Sequence, residues 1–258
     1  VCKVGEPLPL KTEGHLRVVF LGTGSAFAKR HRQSNILIIQ GDHHVLIDCG
    51  TQGPQALVDV GLDVARVKCY LPTHSHADHV HGIDDLRMVV FNMRKRLNVW
   101  ADGPTQDALY SRFGYAFVQP EGSPYPPILD MFTIDGDVEI SGEGGTITLT
   151  PIKVNHGSID ALGFRVGDLV YMPDVAEIYE DAWLQMQGMD CWVLDALRRS
   201  PHPTHSHLET SLKWLAQAAP RRAVLTNMHI DLDHATVEAE TPDHISVAFD
   251  GMQITYDL

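Results

Sequence analysis

Cysteine is scarce in this 258-residue chain: four residues, Cys2, Cys49, Cys69 and Cys191, with no C-x-x-C spacing. Neither a disulfide framework nor a cysteine zinc knuckle fits that distribution, and the expected setting is a reducing cytoplasm. Long apolar runs are missing too. Nothing approaches the roughly 20 residues that span a bilayer, and no basic-then-apolar segment opens the sequence, so no membrane partner is expected. Positive charge is the third shortage. Twenty Lys and Arg stand against 33 Asp and Glu, a formal net charge of −13 with histidines neutral. A broad phosphate-binding surface needs the opposite balance, which argues against nucleic acid as a partner, although bound divalent cations would offset part of the charge locally. Internal repeats and low-complexity tracts are also lacking. The glycines of "LGTGS" (Gly22, Gly24) do not continue into a G-x-G-x-x-G that opens a helix, so no dinucleotide site is indicated.

What the chain has in quantity is histidine, fifteen in all, and five of them fall between residues 74 and 81 or at 156. "LRVVFLG", "SNILIIQG", "HHVLIDCG" and "VKCYLPT" read as apolar, β-branched strands. "PTQDALYSRFG" and "HLETSLKWLAQA" read as helices, residues 114–131 as a long proline-rich connection, and "ISVAFDGMQITYDL" as a closing hairpin about Asp250-Gly251. Strands come in runs with helices between, and both halves follow the same plan. The expected class is α/β: two mixed β-sheets face to face with helices outside, a four-layer αββα sandwich in one domain of residues 1–258, with 1–15 as an extended arm. Polar residues recur just after strands, at Asp48, His74, His156, Asp174, Asp195 and His229, and would converge if those strand ends share an edge.

In "PTHSHADHVH", His74, His76, Asp78 and His79 sit at relative positions 0, 2, 4 and 5. Leaving a strand, the alternating members point one way and the Asp-His pair another, which suits two neighbouring metals better than one. Imidazole and carboxylate are ligands for zinc, manganese or iron. The competing interpretation is a solvated, histidine-rich loop.

"THSHADH", preceded by "LIDCG" and followed by His156, Asp174 and a late histidine, resembles the metallo-β-lactamase superfamily of metal-dependent hydrolases over essentially the whole chain. "HADHVHGIDDLR", "QPEGSPYPPILDM", "LGFRVGDLVYMPDV" and "FDGM" resemble the branch that contains the phosphoribosyl cyclic phosphodiesterase of the carbon–phosphorus lyase pathway. "FLGTGSAFAKRHRQSNILI" is more similar to the cyclic-nucleotide phosphodiesterase and ribonuclease Z side. The resemblance implies a first metal on His74, His76 and His156, a second on Asp78 and His79, and Asp174 bridging the two. Two divalent ions, zinc or manganese with iron also compatible, would ionise a water near neutral pH for attack on a substrate phosphorus. Where the branch places its last histidine directly after a Thr, this chain has "LTNMH": the position is Asn227, and His229 is the expected seventh ligand with Asn227 behind it. The cysteines of that branch's structural zinc are missing, so no such zinc is expected.

Hydrolysis of a diester must protonate a leaving alkoxide. The resemblance places His205, in "PHPTHSH", at the catalytic histidine, with Asp78 counted in the catalytic set as well as among the ligands. Thr204 or Ser206 as a simple helix cap is the alternative for that stretch. Asp195 either orients a histidine or closes its strand for structural reasons. Arg30–Arg32 and Arg198–Arg199 either grip phosphate or form solvated faces. The expected function is hydrolysis of a small, cyclic or nucleotide-like phosphodiester, and a homodimer is compatible with it. The alternatives on the same constellation are a tRNA 3′-processing nuclease, a lactonase or β-lactam hydrolase, and a metal-binding domain without turnover.

Overall fold

The computed structural model describes residues 15–25, 28 and 31–257. The expected N-terminal arm falls almost wholly outside them, as does Arg30. In chain order the first half contains β1 (His15–Gly22), β2 (Asn35–Gln40), β3 (His43–Ile47), α1 (Gly53–Asp59), β4 (Val67–Leu71), α2 (Ala77–Val80) and α3 (Leu86–Met93). There follow β5 (Leu97–Ala101), α4 (Gly103–Phe117), β6 (Leu129–Thr133), β7 (Val138–Gly142), β8 (Gly145–His156), β9 (Ile159–Val166) and β10 (Leu169–Met172). The last are α5 (Glu180–Gln185), β11 (Cys191–Asp195), α6 (Leu208–Ala218), β12 (Arg222–Thr226), α7 (His234–Glu240), β13 (Ile245–Val247) and β14 (Gln253–Asp257).

The strands form two mixed seven-stranded sheets, ordered β14-β1-β2-β3-β4-β5-β6 and β13-β12-β11-β10-β9-β8-β7. The expected α/β class with two mixed sheets is what forms. In the first sheet β14, β1, β2 and β3 pair antiparallel and β3, β4, β5 and β6 parallel. The second mirrors this: β8, β9 and β10 pair antiparallel, and β10, β11, β12 and β13 parallel. Contacts divide the chain into two compact units, residues 15–22, 32–147 and 250–257 in one and 23–31 and 148–249 in the other.

Each unit has its own core. In the first, Leu37, Leu46 and Tyr70 of the sheet pack with Leu57 of α1 and Leu86 and Val89 of α3, all fully buried. All six residues of β2 are buried, so both of its faces are covered; such strands read as unbroken apolar runs because no face is left for polar residues. In the second unit Trp192, Leu194, Leu225 and Val170 pack with Leu208 and Leu215 of α6. Cutting any of these leucines to alanine would cost about 2–5 kcal/mol. The thiols of Cys49 and Cys69 are buried within these layers, and burial drives both well above the ordinary thiol range, so they behave as small apolar groups.

Two features differ from expectation. Residues 245–257 are not a hairpin: β13 pairs parallel with β12, whereas β14 pairs antiparallel with β1, so the two strands belong to different sheets. The Asp250-Gly251 turn is instead held from outside, the Asp250 carboxylate accepting the Arg32 N–H at 2.7 Å and Gly251 N–H donating to Phe20 O at 2.7 Å. The connection after the fourth helix is also shorter than its prolines suggest. With Asp102 capping Thr105 N–H at 3.1 Å, α4 runs on to Phe117 through a non-helical residue at Phe113, and only residues 118–128 link it to β6.

Candidate metal and catalytic site

In the first unit the histidine cluster leaves the C-terminal end of β4, which is parallel to β3; polar groups at that edge of parallel strands are where ligands bind in such sheets. Asp48, just after β3, is fully buried and holds a left-handed backbone, φ 61°. Its carboxylate takes the Thr73 N–H at 2.8 Å, the Thr73 hydroxyl at 2.9 Å and the His79 Nδ1–H at 2.8 Å. Burial pushes the Asp48 carboxyl upward, and those donors pull it back. Because the Thr73 hydroxyl donates to Asp48, its oxygen accepts from His74 Nδ1 at 3.0 Å. The rings of His76 and His79 lie 4.6 and 4.3 Å from the His74 ring. Asp78 Oδ2 stands 3.8 Å from His79 Nε2. Gly50 makes this approach feasible: a Cβ there would lie 2.3 Å from the Asp78 carbonyl.

In the second unit the parallel strands β10, β11 and β12 end just before or at Asp174, Asp195 and Asn227, all at most 2% exposed. His156, the last residue of β8, donates Nδ1–H to Thr204 O at 2.5 Å and points Nε2 to Asp174 Oδ2 at 3.4 Å. The next residue, Gly157, has φ 79°, and a Cβ on it would sit 2.4 Å from the Thr204 methyl group, so glycine is what permits the contact. His205 follows the same plan, with Nδ1 on Asp195 Oδ2 at 2.8 Å and Nε2 3.8 Å from Asp174 Oδ2. Asp195 also accepts the Val175 N–H at 3.2 Å, while burial pushes its carboxyl upward against the pull of His205. Asn227, with φ 58°, donates Nδ2–H to Asp174 Oδ1 at 2.9 Å. Its own Oδ1 is buried with no hydrogen-bond partner among the described residues.

His229 lies two residues beyond Asn227, about 30% exposed, with Nδ1 3.4 Å from Asp231 Oδ2. Of the two residues weighed for the last ligand position, Asn227 is the one that touches Asp174. The capping alternative for Thr204 and Ser206 is not what forms. His207 occupies the N-cap of α6, and the Ser206 hydroxyl donates to the Asp195 carbonyl at 2.8 Å. The described members of the arginine pairs are engaged internally. Arg32 pairs with Asp59, Arg199 with Glu240 at 2.7 Å, and Arg198 donates to the Ser200 and Pro201 carbonyls. His81, for which the sequence offers no role, sets its ring edge-on against Phe113, centroids 6.1 Å apart.

The donor set fits divalent metal ions. His74, His79 and His156 each commit Nδ1 to an oxygen of the protein, which leaves the Nε2 lone pair as the ligand atom; metal-binding histidines are held in this way. His74 and His76 in the first unit, and His156 and Asp174 in the second, each offer a ligand atom of the kind such ions take. Sequence reasoning missed Thr73, the hub of the first network, and Arg112, whose guanidinium donates to the Ser75 carbonyl at 2.5 Å between two candidate ligands. No motif marks Arg112, because its target is a backbone carbonyl 37 positions away.

A family model of the β-lactamase superfamily domain matches residues 43–230. The chain belongs to the metallo-β-lactamase superfamily. Two mixed sheets with helices are that family's fold. The anti-Pycsar protein Apyc1 of Bacillus phage 010DV004 is 30% identical over 227 residues, 81% of this chain and 88% of that protein. An octanoyltransferase of Porphyromonas gingivalis is 28% identical over 234 residues, covering 89% of this chain but 46% of that protein. The chain thus spans about half the length of that relative. Among solved structures, a diphosphatase of the PhnP family superposes with a TM-score of 0.84 at 25% identity, over 95% of this chain and 98% of that one. Within the superfamily, this chain is related to PhnP. No helix among the described residues is long and apolar enough to cross a membrane.

Proposed function

We propose that this superfamily member hydrolyses a small phosphodiester, cyclic or nucleotide-like, with two divalent ions, zinc or manganese. His74, His76 and His156 would hold the first, Asp78 and His79 the second, and Asp174 would bridge them, with Asn227 and His229 the candidates for the remaining position. When bound, such ions supply a water ionised near neutral pH and positive charge for the phosphate oxygens.

The observation that carries the reading is the Asp195–His205 pair, 2.8 Å apart and set beside Asp174. A diester loses an alkoxide that must gain a proton as the P–O bond breaks, and a buried carboxylate on Nδ1 stabilises the imidazolium that delivers it from Nε2. A ring-opened lactone's alkoxide and a β-lactam's nitrogen need a proton as well, so the pair supports hydrolysis as such, and the choice of phosphorus comes from the relatives. The flanking backbone fixes the ring: Ser206 N–H donates to Val175 O at 2.5 Å and Leu197 N–H to Ser206 O at 3.1 Å. Likeness to a PhnP-family diphosphatase also favours phosphorus over carbonyl carbon.

Protein reconstituted with zinc or manganese is assayed on 3′,5′-cyclic nucleotides, bis-p-nitrophenyl phosphate and a homoserine lactone. Diester turnover that a chelator abolishes and metal restores is expected. Turnover of the lactone alone would overturn the reading.

A further inference from the structure

The second unit contains a pocket of about 590 Å³, with Thr23, His31, Met228, His229, Ile230 and His234 in its walls. That size is in the range of small-molecule sites. Two of the chain segments that build it are laced together. Gly24 bridges Met228, Ser25 N–H donates to Met228 O at 3.4 Å, and Asn227 N–H donates to Thr23 O at 2.9 Å. The pocket therefore begins one residue after Asn227, whose amide binds Asp174. A substrate with its phosphate at Asp174 and His205 would extend into it.

The lining combines imidazoles and apolar side chains with polar ones, Thr23 and Asp233, and the Asp233 carboxylate accepts the Thr236 N–H at 2.9 Å. The His31 and His234 rings are near-parallel, 10° apart with centroids at 6.2 Å, and the edge of Phe249 meets His234 at 6.2 Å. Both imidazoles are held in place, His31 by Thr23 Oγ1 at 3.0 Å and His234 by Val247 O at 3.1 Å. Ile230 is 56% exposed beside them, a large apolar side chain. Pre-set flat rings with an aliphatic flank suit the face of a planar heterocycle, because base–aromatic stacking needs a positioned ring.

We propose that this pocket is the base subsite of the substrate, with the heterocycle of a nucleotide diester stacked on the His31–His234 shelf. The inference rests on the phosphodiesterase reading and adds that the substrate carries a nucleobase. Recognition by the ring face rather than by edge hydrogen bonds makes the subsite tolerant, so a purine and a pyrimidine are both accepted.

Wild type, His31→Ala and His31→Phe are compared on adenosine and cytidine 3′,5′-cyclic phosphates and on methyl riboside 3′,5′-cyclic phosphate, which lacks a base. His31→Ala should raise KM for both nucleotides about tenfold or more at nearly unchanged kcat, since removing one stacking ring is felt on that scale. His31→Phe should restore KM, and the base-free diester should not distinguish the three proteins. Binding of 2-aminopurine riboside 3′,5′-cyclic phosphate to chelator-treated protein is followed in parallel by fluorescence. Quenching in wild type and His31→Phe but not in His31→Ala supports the subsite independently of turnover, and it would do so even if hydrolysis failed and the phosphodiesterase reading fell. Absence of quenching in wild type, or equal KM values across the three proteins on the nucleotides, overturns the base subsite.

Discussion

Asp195→Asn is the sharpest test of the acid role given to His205. The side chain is fully buried, and its Oδ2 takes both the His205 Nδ1–H at 2.8 Å and the Val175 N–H at 3.2 Å. Its Oδ1 has no hydrogen-bond partner among the described residues. An asparagine can keep its carbonyl on both donors and turn its NH₂ to the Oδ1 position, so the shape is preserved while the charge is lost. A hydrogen bond to a charged group is worth about 1.5–3 kcal/mol and a neutral one about 0.5–1.5, so the imidazolium loses about 1–2 kcal/mol of support. That corresponds to a drop of roughly five- to thirtyfold in rate, in line with the roughly 10–100-fold effect typical of groups that orient metal-site histidines. The comparison to make is kcat/KM on a cyclic nucleotide, whose leaving alkoxide needs a proton, against bis-p-nitrophenyl phosphate, whose phenolate leaves without one. The nucleotide should show the loss and the p-nitrophenyl ester almost none, with metal content unchanged. Equal losses on both substrates would refute the proton-donor assignment and make Asp195 a purely structural carboxylate.

Three further outcomes follow from the geometry. His76→Ala should abolish metal-dependent turnover and lower bound metal measured by elemental analysis, while thermal stability of the chelated protein changes little, because His76 occupies the N-cap of α2 without a side-chain capping bond; unchanged turnover would move the site elsewhere. At Asn227 both →Gly and →Ala delete the amide on Asp174, but only alanine must also hold φ 58°. Denaturant titration should find each destabilised by about 1–3 kcal/mol, with alanine worse by roughly a further 1 kcal/mol, and a glycine variant as stable as wild type would mean the amide contributes nothing. His44, about 4% exposed, is brought down from an ordinary 6.5 to about 4, chiefly by burial and then by Arg66. Its folded-state value is depressed, so the unfolded chain takes up the proton first. Stability is unaffected by this group above 6.5 and declines as pH falls from 6.5 towards 4, by at most about 3 kcal/mol at about 1.4 kcal/mol per unit. His44→Phe should flatten the decline measured by urea titration at successive pH values; an undiminished slope would assign it to other groups.

Local chemistry made much of this protein legible in its sequence. Apolar, β-branched runs such as "NILIIQ" read as strands because every side chain on them is buried, and His74, His76, Asp78 and His79 declare metal chemistry because their spacing leaves few other uses for so many donors. His156, Asp174 and Asp195 were visible as polar residues at strand ends, a position that follows from period and length alone. Partnership was not visible. That Thr73 joins Asp48, His74 and His79, that Thr204 offers a backbone carbonyl to His156, and that Asn227 rather than His229 meets Asp174 depend on which strands lie side by side. The same holds for the chain end, where "ISVAFDGMQITYDL" has the local signature of a hairpin but β13 and β14 find partners in different sheets. Residue type and spacing determine what a segment can bind, since they are local properties of the chain. Which groups it meets is decided by pairing over tens to hundreds of residues, where the free energy of the whole sheet outweighs the preference of any turn.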